Sequence, residues 1–329
     1  MEIFLESKPL IPYLHKKEST YEIVANILSK DMGEELAIGL VENLKGGKED
    51  IFEEDLIKFY EKTAELWTPL LIHFTDWIHK NSGNVPVKFA MRDGEPFSII
   101  YNLLYSDNND NLIWINRKVC GIKTEDKSEG ALKKAELLFS YIEQEKLNKD
   151  FMFVDAGCWG TIIKNLYSVE GLNFRGKPLF FYSHNPNIPS FLKDVGVSES
   201  FGEILNDSLE SFFPKKYKSV ECFEKKEEKI IPCLINNEDI MVKCNEAFNK
   251  KLTKEVLKYK NNQRDLPNIQ DAIKLMQYAN EFSKKGEFTG VLKNSTPGTV
   301  NKEIFLATWP KELNWTKDLQ HSEKCFLMG

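Results

Sequence analysis

The spacing of apolar residues changes along the chain and divides it into three parts. Between residues 18 and 80 apolar side chains recur at helical spacing, and only Gly46-Gly47 interrupts the pattern. This spacing predicts helices over 51–62 and over 66–80, the second of which is rich in Trp, Leu and Phe. We therefore interpret residues 1–82 as a helical cap.

From residue 84 the pattern changes to short apolar runs that alternate with helical segments. The runs VPVKFAM, NLIWINRK, FMFVDAGCWGT and KPLFFYSHN predict four strands, and the segments between them predict helices. Strands that alternate with helices at this spacing indicate a parallel sheet with right-handed crossovers. We expect residues 83–190 to form a Rossmann-like α/β core.

The last part of the chain, 191–329, has a weaker pattern. The run ECFEKKEEKIIPCLINNEDIMVKC predicts a pair of short strands, and the spacing of apolar residues predicts helices over 251–258 and 268–285. The sequence contains no internal repeat and no linker-like run of Pro and Ser. We interpret this part as an α+β elaboration that packs on the core.

Composition and charge exclude several classes of protein. With 42% apolar and 29% charged residues the chain is typical of globular proteins, and its net charge of -6 argues against binding to nucleic acid. Six cysteines without a CxxC pair argue against a disulfide framework or a structural zinc site. No run reaches the roughly 20 apolar residues of a transmembrane helix, and the N-terminus lacks the apolar stretch of a signal peptide. We expect a cytoplasmic protein.

The candidate chemistry lies where the predicted strands end. Ligands of parallel sheets bind beyond the carboxyl ends of the strands, so the residues there share one edge. Cations, acids and glycines collected at such an edge suit a magnesium-bound polyphosphate. The three strand ends are Arg92-Asp93-Gly94, Asn116-Arg117-Lys118 and Asp155-Ala156-Gly157.

The run FVDAGCWGT is the most specific of these signals. Its two glycines bracket a short loop and let backbone N–H groups approach a phosphate, and the helix that starts at Thr161 favours an anion through its dipole. Asp155 lies where a carboxylate can accept hydrogen bonds from sugar hydroxyls. The alternative is a plain strand-to-helix turn in which the aspartate caps the helix.

The other two strand ends carry cations. In AMRDGEPF a cation, Arg92, stands beside Asp93, and Gly94 offers an N–H to a phosphate oxygen; the alternative is a surface turn with an ion pair. In INRK we expect Arg117 or Lys118 to face the ligand edge, ahead of a polar loop typical of a mobile lid. The alternative for these two residues is a solvated run of charges.

Isolated histidines, cysteines and aromatics give weaker signals. His73 and His79 are six residues apart on one helix, so they do not share a face that could bind a metal. His184 is typical of a structural histidine, and Cys158 has no histidine partner that the sequence identifies. Trp159 is placed to stack on a sugar or a nucleobase. Walker, GxGxxG and DxDxT motifs are absent from the sequence, which argues against P-loop, dinucleotide-binding and ordinary haloacid-dehalogenase chemistry.

The order of the three strand ends resembles type I phosphoribosyltransferases. An Arg-Asp-Gly turn, a strand ending in Arg-Lys before a loop, and an apolar strand ending in Asp…Gly-Thr are similar to the pyrophosphate loop, the basic strand and the PRPP loop of that family. The usual PRPP loop has two adjacent acids, whereas here Asp155 stands between Val154 and Ala156. This departure argues against nucleobase salvage.

A closer resemblance covers residues 66–234. The runs LWTPLLIHFTDWIHK, VKFAMRDGEPFSIIYNLL, FVDAGCWGTIIKNL and LESFFPKKYKSVECF are similar to PRPP-dependent ribofuranosyltransferase modules of bacterial capsule and O-antigen assembly. Such modules are often fused to a haloacid-dehalogenase-like phosphatase that removes the 5-phosphate after transfer. Because this chain has no recognisable phosphatase motif, the resemblance implies a separate phosphatase partner.

The resemblance implies transfer of 5-phosphoribosyl from PRPP, with Mg²⁺, to a sugar hydroxyl of a polysaccharide precursor. Pyrophosphate leaves, and the α-configured donor becomes a β-ribofuranoside. The acceptor is a glycan, free or lipid-linked, which puts the protein in the cytoplasm at the inner face of the membrane.

The resemblance also assigns roles to residues of this sequence. Arg92 and Asp155 act with Asp93 in catalysis, where Asp93 is either a magnesium ligand through water or the general base. Glu210 and Lys218 lie in the stretch near the acceptor, although a solvated basic face explains the lysines of 215–218 as well. The residues assigned to PRPP are Gly94, Arg117, Lys118, Gly157, Cys158, Trp159, Gly160 and Thr161.

Three other functions remain open on the sequence alone. One is a phosphoribosyltransferase that acts on a nucleobase or a small amine. Another is a hydrolase of phosphorylated sugars in which Asp93 or Asp155 is the nucleophile and phosphate is released without an acceptor. The third is a non-catalytic sensor that binds PRPP or a nucleotide and is stabilised by it.

Overall fold

A computed structural model describes residues 53–91, 93–105, 111–121, 128–274 and 276. Fourteen helices and strands are assigned within these ranges, and residues 269–274 add a further helical segment. In chain order the assigned elements are α1 (Glu53–Ser82), β1 (Val87–Ala90), α2 (Glu95–Tyr105), β2 (Leu112–Ile113), α3 (Arg117–Cys120), α4 (Glu129–Gln144), β3 (Phe151–Cys158), α5 (Thr161–Ser168), β4 (Gly176–Ser183), α6 (Phe191–Asp194), α7 (Glu199–Phe212), β5 (Tyr217–Lys226), β6 (Lys229–Asn236) and α8 (Asp239–Lys260).

The four predicted strands form one sheet in which every neighbouring pair is parallel. The strand order is β2-β1-β3-β4, so the predicted Rossmann-like α/β core is confirmed. β3 pairs with β1 only as far as Val154, opposite Phe89, and then continues beside β4 to Cys158. Among the described residues, the second half of β3 therefore has a strand on one side only.

The second strand is shorter than its apolar run predicts. β2 contains only Leu112 and Ile113, and a helical turn begins at Arg117. The Oδ1 atom of Asn116 accepts hydrogen bonds of 3.0 Å from the N–H groups of Lys118 and Val119. Asparagine is among the strongest helix N-caps, so the predicted continuation of the strand to Lys118 is wrong.

Helix α1 is one continuous helix of 30 residues, where the spacing predicts two. Buried Leu56, Tyr60 and Ala64 continue the same stripe as Trp67 and Phe74, and no glycine separates the two predicted helices. Since the apolar stripe does not break, neither does the helix. The predicted helices before residue 51 lie outside the described residues.

Helices and a hairpin cover the two faces of the sheet. One core joins α1, α2, α7 and α8 to the face of Phe89, Val154 and Phe181, and the other joins α4, α5 and the hairpin to the face of Phe153 and Phe180. This alternation along the strands follows from their two-residue period. Helices that precede residue 83 and helices that follow residue 190 therefore share a core with the strands. The predicted division of the chain into a cap, a core and an elaboration at these two positions stays a prediction.

The C-terminal part contains the predicted pair of strands as an antiparallel hairpin, β5 and β6. Helix α8 begins at Asp239 rather than at 251, because Cys244, Phe248 and Leu252 extend its buried stripe backwards. The run MVKC consequently belongs to a helix and not to a strand. Of the predicted helix 268–285, residues 269–274 are helical in the structure. The part after residue 276 lies outside the described residues.

Within the described part of the chain, the model has no helix that combines the length and apolar character needed to cross a membrane.

Candidate active site

The strand order places a crevice between the carboxyl ends of β1 and β3. The chain passes from β1 to β2 on one side and then to β3 on the other, so the topological switch point lies between these two strands. Asp93 follows β1, and Asp155 comes directly after Val154, the last residue of β3 that pairs with β1. Both predicted aspartates therefore belong to the position where α/β sheets bind ligands.

Asp93 forms an ion pair that the sequence does not identify. Lys215 Nζ lies 2.9 Å from Asp93 Oδ1, and the two side chains are only 9% and 19% exposed. A buried ammonium needs a close carboxylate, because the desolvation of an unpaired charge costs several kcal/mol. The interpretation of Lys215 as part of a solvated basic face is wrong, since this side chain is directed into the protein.

The backbone beside Lys215 is held by two asparagines. Asn245 Nδ2 donates to the carbonyl of Pro214 at 2.8 Å and to Glu95 Oε2 at 3.1 Å, and Asn237 Nδ2 donates to the carbonyl of Lys215 at 2.8 Å. Burial raises the pKa of the Glu95 carboxyl, while the hydrogen bond from Asn245 opposes that shift. These contacts hold the backbone from which the side chain of Lys215 extends to Asp93.

The environment of the Asp155 carboxyl disfavours its ionised form. Its pKa is raised well above the ordinary value, first by burial and then by the negative charges of Asp93 and Glu210. A hydrogen bond of 2.8 Å from the N–H of Ala156 and the charge of Arg117 act in the opposite direction. A ligand that brings hydrogen-bond donors or positive charge would therefore stabilise the ionised form of Asp155.

Helix α7 brings Glu210 to the same crevice. Asn206 Nδ2 donates to Glu210 Oε1 at 3.0 Å. Burial and the charge of Asp93 raise the pKa of Glu210, and the positive charges of Lys215 and Arg117 oppose that shift. Glu210, which only the resemblance connects with the acceptor, thus lies within electrostatic range of the strand-end residues.

Asp207, one turn before Glu210, is a further acid that the sequence analysis missed. Its pKa is raised from 3.8 to about 7 by burial and by the charges of Glu210 and Glu203. In the unfolded chain this carboxyl ionises at its ordinary pKa, whereas in the folded chain it ionises only near neutrality. Between these two pH values the cost of ionising Asp207 in the folded protein grows with pH, so its contribution lowers the free energy of unfolding.

We expect Asp207→Asn to raise the Tm by about 3 °C at pH 8 and by clearly less at pH 5. The measurement is thermal unfolding at both pH values, with Asp239→Asn as the control because Asp239 is exposed at the start of α8. An equal change of Tm at both pH values would contradict the raised pKa of Asp207.

Two glycines with positive φ precede α5, one near the end of β3 and one in the loop that follows it. Gly160, with φ of 77°, is the N-cap of α5, and Thr161 is the first residue of that helix. Gly157 has φ of 126°, and a Cβ atom there would lie 1.8 Å from the carbonyl oxygen of Tyr182 on β4. Gly157 is therefore required by the close approach of β3 and β4, and Gly160 by the start of the helix.

The N–H of Gly94 is already used within its own turn. It donates to the carbonyl of Ala90 at 2.9 Å, and a Cβ atom on Gly94 would lie 2.4 Å from that oxygen. In this structure Gly94 shapes the tight turn between β1 and α2 rather than directing an N–H at a ligand.

Trp159 and His184 stack on each other at the ends of β3 and β4. Their ring centroids are 4.9 Å apart at an interplanar angle of 24°. His184 Nε2 lies 3.5 Å from Glu203 Oε1, and its Nδ1 lies 3.3 Å from the hydroxyl of Tyr182. The predicted stacking residue Trp159 thus stacks on a histidine that contacts the first turns of α7, and its stacking on a ligand stays a prediction.

The structure pairs the predicted residues Lys118 and Lys218 with acids of the C-terminal part. Lys118 Nζ contacts Glu221 on the hairpin and lines a cleft of about 460 Å³ between α3, α4 and β5. Lys218 Nζ lies 3.7 Å from Glu238. Among the predicted cations that the structure describes, Arg117 is the one whose charge acts on both Asp155 and Glu210.

Some predictions concern residues that the structure does not describe. Arg92 and the predicted lid residues 122–127 lie outside the described residues, as does the side chain of Cys158. Within the described ranges, no group of three or more His, Cys, Asp and Glu side chains is arranged to hold a metal ion by itself. A magnesium ion at this crevice would need oxygens from its ligand as well as from the protein.

Comparisons of the sequence with protein-family models and with curated proteins find no match. A functional assignment for this chain therefore depends on its fold and on the charges of the crevice.

Proposed function

We propose that this protein is a phosphoribosyltransferase of type I kind that transfers 5-phosphoribosyl from PRPP to a sugar hydroxyl. One observation supports this most strongly. At the switch point the charges of Arg117, Asp93 and Glu210 act on Asp155, Asp93 pairs with Lys215, and helix α5 starts at Thr161, shortly after β3. Glycosyl transfer from PRPP needs this combination, because positive charge develops on the ribose and negative charge on the leaving pyrophosphate.

The ribose-5-phosphate end of the donor fits the β3–α5 loop. Asp155 accepts hydrogen bonds from the ribose hydroxyls, which relieves the unfavourable environment that raises its pKa. The N-terminus of α5 at Gly160 and Thr161 binds the 5-phosphate through backbone N–H groups, the hydroxyl of Thr161 and the helix dipole.

The pyrophosphate end fits the side of β1. Arg117 and Lys215 supply positive charge there, and Arg92 is assigned to the same role from its position in the sequence. Since Asp93, Asp155 and Glu210 outnumber the two described cations that act on them, an anionic donor needs additional positive charge. A magnesium ion would supply that charge, and Asp93 and Asp155 are the residues that would hold it together with oxygens of the donor.

The reaction requires a group that accepts a proton. The acceptor oxygen forms a bond to C1 of ribose, the bond from C1 to pyrophosphate breaks, and its electron pair leaves with pyrophosphate. We assign the released proton to Glu210, because Asp93 is already neutralised by Lys215 whereas burial raises the proton affinity of Glu210. Attack opposite the leaving group converts the α-configured donor into a β-ribofuranoside.

The acceptor belongs to the proposal as well. We assign it to a glycan precursor of bacterial polysaccharide assembly, free or lipid-linked, on the basis of the sequence resemblance over 66–234. A separate phosphatase then removes the 5-phosphate, and transfer takes place in the cytoplasm at the membrane face where such precursors are made.

We expect PRPP with Mg²⁺ to raise the Tm of the protein by about 5 °C or more at concentrations far above its Kd. Ribose-5-phosphate, pyrophosphate and a panel of nucleotide sugars are measured in parallel, and EDTA removes the metal in a control. A larger shift with a nucleotide sugar than with PRPP would contradict the proposed donor. Phosphate release from ribose-5-phosphate without an acceptor would favour the hydrolase instead.

A further inference from the structure

One face of α7 is polar although the helix packs on the protein. Glu203, Asn206, Asp207 and Glu210 follow the spacing i, i+3, i+4 and i+7, which places them on one side of the helix, while Leu205 and Leu209 are buried on the other. We refer to these four polar residues as the α7 polar strip. Charged side chains on a helix that packs against a sheet edge require a partner or a function.

The α7 polar strip runs along the carboxyl-end edge of the sheet. At one end Glu203 lies 3.5 Å from His184, which follows β4. At the other end Glu210 interacts with Asp93 beyond β1 and with Asp155 in β3. The strip therefore leads from the stacked His184 to the place where the proposed transfer occurs.

The strip contains more hydrogen-bond acceptors than donors. Asn206 is 1% exposed, its Nδ2 donates to Glu210, and its Oδ1 has no hydrogen-bond partner in the described structure. Asp207 likewise forms no hydrogen bond or ion pair with any other described residue. A buried amide oxygen without a donor is costly. Such an oxygen next to a carboxylate that also lacks a partner indicates that a ligand brings the donors.

We propose that the α7 polar strip binds the acceptor sugar and that it selects a neutral or amino sugar over an anionic one. This inference rests on the proposed function, since the strip leads to its reaction centre. Sugar hydroxyls donate to the Oδ1 of Asn206 and to the carboxylate of Asp207, and an ammonium group gains further attraction. A carboxylate on the sugar is repelled, because Glu203, Asp207 and Glu210 line the strip and Lys215 is paired with Asp93.

The test measures binding of three probes with the same ring: glucose, glucosamine and glucuronate. Saturation-transfer NMR on the full chain, without PRPP, compares their affinities at millimolar concentration. We expect glucose and glucosamine to bind the wild type at least about tenfold more tightly than glucuronate. In Asp207→Asn, glucosamine should lose about threefold in affinity and glucuronate should gain by a similar factor.

Asp239→Asn is the matched control, because it removes an exposed carboxylate from the start of α8 and should leave all three affinities unchanged. The inference is overturned if glucuronate binds as tightly as glucosamine, if none of the probes binds, or if the two variants behave alike. Because the probes are measured without PRPP, this outcome is separate from the donor test. A failed PRPP shift contradicts the proposed donor, and lost sugar selectivity contradicts the role of the strip.

Discussion

Replacing Asp155 by Asn is expected to abolish pyrophosphate release from PRPP in the presence of Mg²⁺ and a sugar acceptor, and to leave the fold intact. The substitution keeps the size of the side chain and removes the charge that, in the proposed function, holds the ribose hydroxyls and stabilises the positive ribose in the transition state. A loss of about 1,000-fold or more in the rate is expected for one such electrostatic contact. The Tm should not fall, because burial and the charges of Asp93 and Glu210 already disfavour the ionised carboxyl in the folded protein.

Asp150 provides the matched control for this variant. It precedes β3 at the opposite end of the same strand and pairs on the surface with Arg175, whose Nε lies 2.7 Å from its Oδ1. Asp150→Asn should therefore retain the rate of the wild type. Pyrophosphate release and thermal unfolding are measured on both variants. Full activity of Asp155→Asn would refute the ribose-binding role, and an equal loss in Asp150→Asn would indicate a general effect on the strand.

Replacing Gly157 by Ala is expected to lower the Tm by about 6 °C or more. The new Cβ atom would lie 1.8 Å from the carbonyl oxygen of Tyr182, and φ of 126° is a conformation that L side chains rarely adopt. Neither backbone can move without breaking the pairing of β3 with β4, which continues past this position to Cys158. Thermal unfolding monitored by circular dichroism measures the effect.

Gly83→Ala separates the steric contact from the cost of a positive φ. Gly83 also has a positive φ, of 54°, but a Cβ atom there would meet no atom within 4 Å. Gly83→Ala should lower the free energy of unfolding by only about 1 kcal/mol, which is the usual penalty of the left-handed region. If Gly157→Ala is no less stable than Gly83→Ala, the close approach of the two strands is not what requires glycine at position 157.

The sequence predicts the sheet well because its signals are local. Each strand is an apolar run that ends in a polar turn, and the rule for carboxyl ends brings Asp93, Asp155 and Arg117 to one edge without knowledge of the strand order. The error at Asn116 has a local cause too, because its side chain caps a helical turn and ends an apolar run that would otherwise continue as a strand.

The rest of the site depends on contacts between distant parts of the chain. Lys215 reaches Asp93 across more than one hundred residues, and no pattern near either residue indicates the pairing. Asn206 and Asp207 lie beside Glu210 on α7, which Leu205 and Leu209 anchor in the core. Local sequence predicts that α7 is amphipathic, whereas only tertiary packing determines which sheet edge its polar side faces.

Glycine has two physical uses that look the same in a sequence. In a phosphate cradle it lets a backbone N–H approach an anion, and in a tight turn or a close strand pair it makes room for another carbonyl. Gly94 and Gly157 occupy positions of the second kind, since a Cβ atom at either would collide with a backbone oxygen. Gly160, at the start of α5, remains the glycine whose position suits the phosphate.

The two asparagine contacts that hold Pro214 and Lys215 have a consequence for the order of assembly during synthesis. Asn237 precedes α8 and Asn245 lies within it, so the segment that delivers Lys215 is anchored by residues made after it. The position of Lys215 beside Asp93 therefore depends on residues that are synthesised after it, and a ribosome must complete the start of α8 before both contacts can form.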